Sequence, residues 1–245
     1  MRKSLLVIVL LGGCGGGNRT TPAPMAMEGM VSINFDDGFE SAWANGLPIM
    51  DKAGFKTTQF IITQKLNVPN YISDSQMLAM QTNGHEIAAH TRTHPHLSTL
   101  TGAQQHDEID GSVSDLAGYG ITPKVFAYPY GDYDDLTISI VKASGFQGAR
   151  TIHSGFNDAN SQALLLKCLL INEAGVSDSN RINQKIDEAQ ANGSWLVLVF
   201  HRVDETGNPI SISHDIIQQA VDHLLEKKTR VVTMSEGLAL YNLKP

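Results

Sequence analysis

Two adjacent carboxylates close an apolar run in Ser32-Ile33-Asn34-Phe35-Asp36-Asp37-Gly38. Like charges side by side are costly unless a cation or a shared proton relieves them. Neighbours on a regular strand point to opposite faces, so both aspartates can serve one site only if the strand ends there and the chain turns at Gly38. A solvated turn, with an Asp cap opening a helix at Ser41, would use the same residues. A second cluster, His85-Glu86-Ile87-Ala88-Ala89-His90-Thr91-Arg92-Thr93-His94-Pro95-His96, follows another apolar run. His90 and His94 are four apart, and a single helical turn would set both imidazoles on one face, a spacing used by zinc ligands. Pro95 disfavours helical geometry at His94, so that turn must be short. His85 and His96 lie outside this spacing and read as structural or supporting groups, and any lone histidine here could equally be a surface residue.

A third cluster, Phe126-Ala127-Tyr128-Pro129-Tyr130-Gly131, ends a strand with a turn fixed by Pro and Gly. Such a turn can offer a backbone N–H beside an aromatic wall, and the same residues also make an ordinary turn. The fourth, Trp195-Leu196-Val197-Leu198-Val199-Phe200-His201, is a continuous apolar strand that delivers one histidine at its C-terminal end. That histidine is either a titratable group at a site or a capped structural one.

The elements that must position these clusters follow from periodicity. Strand-like runs at 30–35, 57–62, 85–89, 124–127, 145–150, 164–171, 195–200 and 230–233 alternate with helical patterns at 41–53, 75–83, 103–116, 134–143, 181–191 and 214–226. Such alternation predicts parallel strands covered by helices, as a barrel or an open sheet, in a single domain. In either architecture function gathers past the C-terminal ends of the strands, where the polar clusters fall.

Residues 1–13 combine Arg2 and Lys3 with an apolar run too short for a bilayer of roughly 30 Å and small residues just before Cys14. This reads as a bacterial lipoprotein signal with Cys14 as the lipidated residue and the membrane as partner, an ordinary signal peptide being the plainer option. Residues 14–28 read as a flexible tether and 29–245 as the domain, placed in the cell envelope, at the outer membrane if the cell has one. With Cys14 lipidated, Cys168 has no disulfide partner and reads as a small buried hydrophobe. The formal net charge is −7, more negative still without Arg2 and Lys3, which argues against a nucleic-acid partner.

Taken in order, Phe35-Asp36-Asp37-Gly38, His90-Thr91-Arg92-Thr93-His94, Ala127-Tyr128-Pro129-Tyr130-Gly131 and Leu198 through His201 resemble the motifs of the polysaccharide deacetylase family, also called the NodB homology domain or carbohydrate esterase family 4. The resemblance spans 29–245 and implies a distorted parallel (β/α) barrel of seven to eight strands. It implies that Asp37, His90 and His94 hold a divalent metal, zinc by donor type with cobalt as the alternative. Water on that metal would be the nucleophile, Asp36 the general base and His201 the general acid. Pro129 and Tyr130 would meet the substrate, the Tyr130 N–H facing the oxyanion. The implied reaction is hydrolysis of acetyl groups from an N-acetylated polysaccharide.

Two departures from the pattern stand out. The family's third motif carries an arginine that holds the base, and here Ala127 occupies its place; Arg150, at the end of the next strand, is the candidate to reach over. The family's Asp-and-Trp motif, which orients the late histidine, has no match, so the partner of His201 is unassigned. Three rival readings stay open: an O-acetyl esterase, a glycosidase using Asp36 with a second carboxylate, and an inactive carbohydrate-binding protein on the same fold. A serine hydrolase is disfavoured by the lack of a Gly-x-Ser-x-Gly elbow.

Overall fold

Apolar runs with turn residues at both ends become parallel strands here because both of their faces are covered, one by the barrel interior and one by helices. The computed structural model describes residues 28–172 and 176–245. The expected leader (1–13), Cys14 and all of the tether but its last residue lie outside the described residues. Strands β1 (Met30–Phe35), β2 (Thr58–Ile61), β3 (Glu86–Ala89), β4 (Val125–Ala127), β5 (Gly148–Ser154), β6 (Leu166–Leu170) and β7 (Trp195–Phe200) pair in that order. β7 then closes on β1, in register from Met30↔Trp195 to Phe35↔Phe200.

A minor pair, β8 (Arg202–Val203) and β9 (Ser211–Ile212), lies beyond β7. The last strand, β10 (Arg230–Val231), pairs with the first residues of β1, while β2 pairs with the final ones, Asn34 and Phe35. The barrel is thus seven-stranded with a short eighth strand wedged beside the start of β1, within the range expected.

Around it run α1 (Leu47–Ala53), α2 (Asp74–Thr82), α3 (Gly102–Ala117), α4 (Asp135–Ala143), α5 (Ser179–Asn192), α6 (His214–Glu226) and α7 (Met234–Leu240). Their starts are set by side-chain caps: Ser73 with Gln76, Thr101 with Gln104, Asp134 with Thr137 and Thr233 with Glu236 form reciprocal capping boxes. Gly54 and Gly193 end α1 and α5 in the left-handed conformation. Odd-numbered residues of β1, Val31, Ile33 and Phe35, pack outward among α1, α5 and α6. Met30 joins Phe60, Leu166, Val197 and Trp195 in the interior cluster, which α7 completes with Met234 and Leu238. The Trp195 indole donates to Ser32 Oγ at 2.9 Å.

Three boundaries differ from the sequence reading. Within the 41–53 helix, Ala42–Gly46 wind as a π-helix. β5 runs on to Ser154 instead of ending at Arg150. The seven-residue α7 is too short to show a full period and was read as no helix.

Candidate active site

The chain leaves β1 through Asp37 and Gly38, both with left-handed backbones (φ 72° and 75°), and this reversal lets both aspartates face one end of the barrel. Asp36 and Asp37 are 3% and 7% exposed, so the solvated-turn alternative fails. His90 directly follows β3. The turn from His90 to His94 is not helical: Thr91 and His94 have φ of 63° and 69°. The helical turn expected from the four-residue spacing therefore does not form, because Pro95 keeps His94 out of right-handed helical geometry. The two imidazoles meet nonetheless, with Nε2 atoms 3.1 Å apart.

Asp37 Oδ1 lies 3.4 Å from each of those nitrogens. That is a charge contact rather than a good hydrogen bond, and Asp37 Oδ1 is a buried oxygen with no hydrogen-bond partner among the described residues. The His90 Nδ1–H donates to the Ala127 carbonyl at 2.8 Å, which leaves Nε2 as a bare lone pair turned to the centre. Two imidazole nitrogens and one carboxylate oxygen thus converge within 4.8 Å of one another, a donor set that suits a divalent cation such as zinc. Burial, the largest influence on Asp37, pushes its carboxyl up, but contact with His90 and the charges of His90, His201 and His94 more than offset it, leaving it at about 2. Burial and the neighbouring His90 hold His94 down at about 4, so its nitrogen stays unprotonated well into acid.

Asp36 faces a different environment. Its Oδ2 takes a hydrogen bond from Arg150 Nη2 at 2.5 Å in an ion pair buried on both sides. Arg150 comes from β5, whose register sets it beside Ala127 of β4. The guanidinium also donates to the Thr151 carbonyl and lies over the Phe60 ring, 5.2 Å from its centroid. Arg150 therefore reaches over as the sequence suggested, supplying from the next strand the positive charge absent at Ala127. His201, just past β7, sits with Nε2 3.9 Å from Asp36 Oδ2.

Asp36, Asp37, His90, His94 and His201 line one open pocket of about 420 Å³ at the C-terminal ends of the strands. A polysaccharide deacetylase family model matches residues 25–149, just over half of the sequence. The chain belongs to the polysaccharide deacetylase family. Chitin deacetylase 1 of Cryptococcus neoformans var. grubii is 26% identical over 218 residues, 85% of this chain and 42% of that protein. The Xyl-CE4 domain of a multidomain xylanase from the hindgut metagenome of Trinervitermes trinervoides is similar in structure, with TM-score 0.62 and 21% identity over 89% of this chain and 93% of that one. A family 4 acetyl xylan esterase from Clostridium thermocellum, solved with a cobalt ion, gives TM-score 0.59 and 21% identity over 87% and 92%. At that identity both structures speak for the fold. This family member spans 46%, 42% and 36% of three curated relatives, less than half their length.

Of the residues that the sequence singled out in this deacetylase-family chain, Asp36, Asp37, His90, His94, Tyr130 and His201 line the pocket. Pro129 is buried beneath the turn and does not line it. The Tyr130 ring, 54% exposed, stacks on His96 at 4.1 Å and meets His94 edge-on. His96 is thereby tied to the rim. His85 lies at the other end of β3, bonded to Thr57 and Asp51, as a structural group. Tyr71, Ile152, Leu170 and Asn172 also line the pocket. No motif marks them: Tyr71 and Asn172 lie outside the barrel strands, Leu170 ends β6, and Ile152 lies in the part of β5 beyond Arg150. The Nδ1 of His201 is buried with no partner among the described residues, so the orienting group missing from the sequence is missing there too.

Proposed function

We propose that this chain is a metal-dependent deacetylase that hydrolyses acetyl groups from an N-acetylated polysaccharide. One observation carries the reading: the Asp37–His90–His94 donor set shares a pocket with the arginine-held Asp36 and with His201. Family membership and the 26% identity to a chitin deacetylase support the substrate class.

Asp37 Oδ1, His90 Nε2 and His94 Nε2 would hold the metal, zinc by donor type, with cobalt as the alternative suggested by the acetyl xylan esterase. When bound, a divalent cation supplies Lewis acidity at the acyl carbonyl and makes the attacking water more acidic. Asp36 takes the proton of that water at Oδ1, the oxygen not engaged by Arg150. The Tyr130 N–H, presented by its left-handed backbone at the pocket rim, donates to the developing oxyanion. His201 donates its proton from Nε2 to the departing amine, without which an amine leaves poorly. The exposed Tyr130 ring offers a face for a sugar to stack on.

Acetate release from a panel of N- and O-acetylated glycans, with and without chelator and with zinc or cobalt restored, tests the reading. Activity on N-acetylated polymer that chelator abolishes is expected; chelator-resistant activity would sink it. Asp36→Asn is expected to lose about 10²-fold or more in turnover with its metal retained. His201→Ala is expected to lose less on an aryl acetate, whose leaving group needs no proton, than on the sugar amide. The domain at 29–245 is proposed to be held at the cell envelope by lipid on Cys14, at the outer membrane if the cell has one. Unchanged membrane association of Cys14→Ser would refute that anchor.

A further inference from the structure

The turn between the two histidines cannot hold itself. Thr91 and His94 both carry left-handed backbones, which residues with a Cβ adopt only when the surroundings insist. The Arg92, Thr93 and His94 N–H groups bond no backbone carbonyl among the described residues, and their partners are side chains. The Thr91 hydroxyl accepts from the His94 N–H at 3.0 Å. The Arg92 and Thr93 N–H groups go to a single carboxylate on α3: Glu108 Oε2 accepts from Arg92 N at 3.0 Å and from Thr93 N at 2.9 Å. Glu108 Oε1 accepts from the Thr93 hydroxyl at 2.5 Å.

The same helix grips the turn a second way. Arg92 donates to Asp107 and Asp115, on either side of Glu108 along α3. Its stem crosses Gly111 so closely that a Cβ there would fall 2.3 Å from Arg92 Cδ. The Arg92 pairs are partly exposed and contribute little alone. Glu108, only 8% exposed, is the buried member of this face.

We propose that Glu108 is the positioning residue of the histidine turn: its carboxylate fixes the peptides of Arg92 and Thr93 and so sets His94 at the distance from His90 and Asp37 that a cation requires. The proposal rests on the reading of those three residues as a metal site. Glu108 touches neither the metal position nor the substrate; it acts through two backbone amides. Groups that orient metal ligands from behind typically change affinity by about 10–100-fold when removed. A glutamine at 108 can keep the arrangement, its oxygen accepting both N–H groups while its amide donates to the Thr93 hydroxyl.

The test uses the full chain as wild type, Glu108→Gln, Glu108→Ala and Thr93→Val. Zinc alone is titrated against a chromophoric chelator, and amide hydrogen exchange and thermal midpoint are read on the metal-free proteins. Expected are zinc binding weakened about tenfold or more in Glu108→Ala, lost protection at the Arg92 and Thr93 amides in that variant, near wild-type values for Glu108→Gln, and an intermediate loss in Thr93→Val. Wild-type zinc affinity in both Glu108→Ala and Thr93→Val would overturn the proposal. So would a Glu108→Gln as weakened as Glu108→Ala with an equally lowered thermal midpoint, which would make Glu108 a general support of the fold. A wild type that takes up no zinc would overturn the metal reading instead. The exchange arm would then still judge the anchor, which fails if the Arg92 and Thr93 amides exchange alike in wild type and Glu108→Ala.

Discussion

Removing the Arg150 guanidinium would leave the Asp36 carboxylate buried without its compensating charge, a change that costs about 3–5 kcal/mol when a buried pair loses one partner. Arg150→Met is therefore expected to lower unfolding free energy by about that amount in urea denaturation; a loss within about 0.5 kcal/mol, typical of surface changes, would contradict the buried pair. The protonation of the metal-free site gives a second expectation. His94 sits at about 4 against 6.5 for the free side chain, so between those values the unfolded chain binds a proton that the folded chain refuses. Unfolding free energy then falls as pH drops through that window. Asp37, at about 2 against 3.8, continues the loss with the same sign below pH 4. Burial lowers His85 as well, adding to the acid loss below its ordinary value. Urea midpoints of the metal-free chain from pH 7 down to 4 are expected to decline, and a flat profile would count against the buried neutral histidines. At this scale the convergence of Asp36, Asp37, His90, His94 and His201 on one pocket was legible because the proposed chemistry restricts their residue types and the motifs restrict their order. Arg150 was only half legible: a charge closing an apolar run signals a buried pair, but its partner lies far away in sequence. Tyr71 and Asn172 carry no such signal, since loops placed them.

Strands and helices were read well where both faces of a segment are buried or a cap stands at its start, as in Trp195–Phe200 and at Thr101. They were read poorly where length hides the period. Missed as a helix, α7 closes the bottom of the barrel: a Cβ on Gly237 would lie 2.4 Å from Trp195 Cζ2. The indole is fully buried and tied to Ser32, so it has no room to retreat. Gly237→Ala, which raises helix propensity, is nonetheless expected to destabilise by about 1–3 kcal/mol through overpacking. A stabilised Gly237→Ala in thermal denaturation would show that α7 packs elsewhere. The π-turn at Ala42–Gly46 also runs close to β1, where a Cβ on Gly46 would come within 2.9 Å of Phe35 Cε1.

For the molecule as a whole, no helix among the described residues is long and apolar enough to cross a membrane. The closed barrel was anticipated through the resemblance, whereas strand–helix alternation alone left barrel and open sheet both open, because periodicity says nothing of which strands meet. That closure has a temporal side. β1 leaves the ribosome first among the strands, yet its long partner, β7, comes last of the seven and β10 later still. Until then β1 has only the two-residue register with β2 to hold it. Its free edge must be kept from pairing with other chains during synthesis. Asp37 rides on that strand's end and His90 follows β3, the two strands being joined through β2, so the carboxylate is expected to settle against the imidazoles only when the barrel closes. A chain truncated after residue 193 keeps all three donor residues and is expected to take up no zinc, as judged by elemental analysis after gel filtration. Stoichiometric zinc in that fragment would mean that the site assembles without the seam, and that this protein matures from its first half outward.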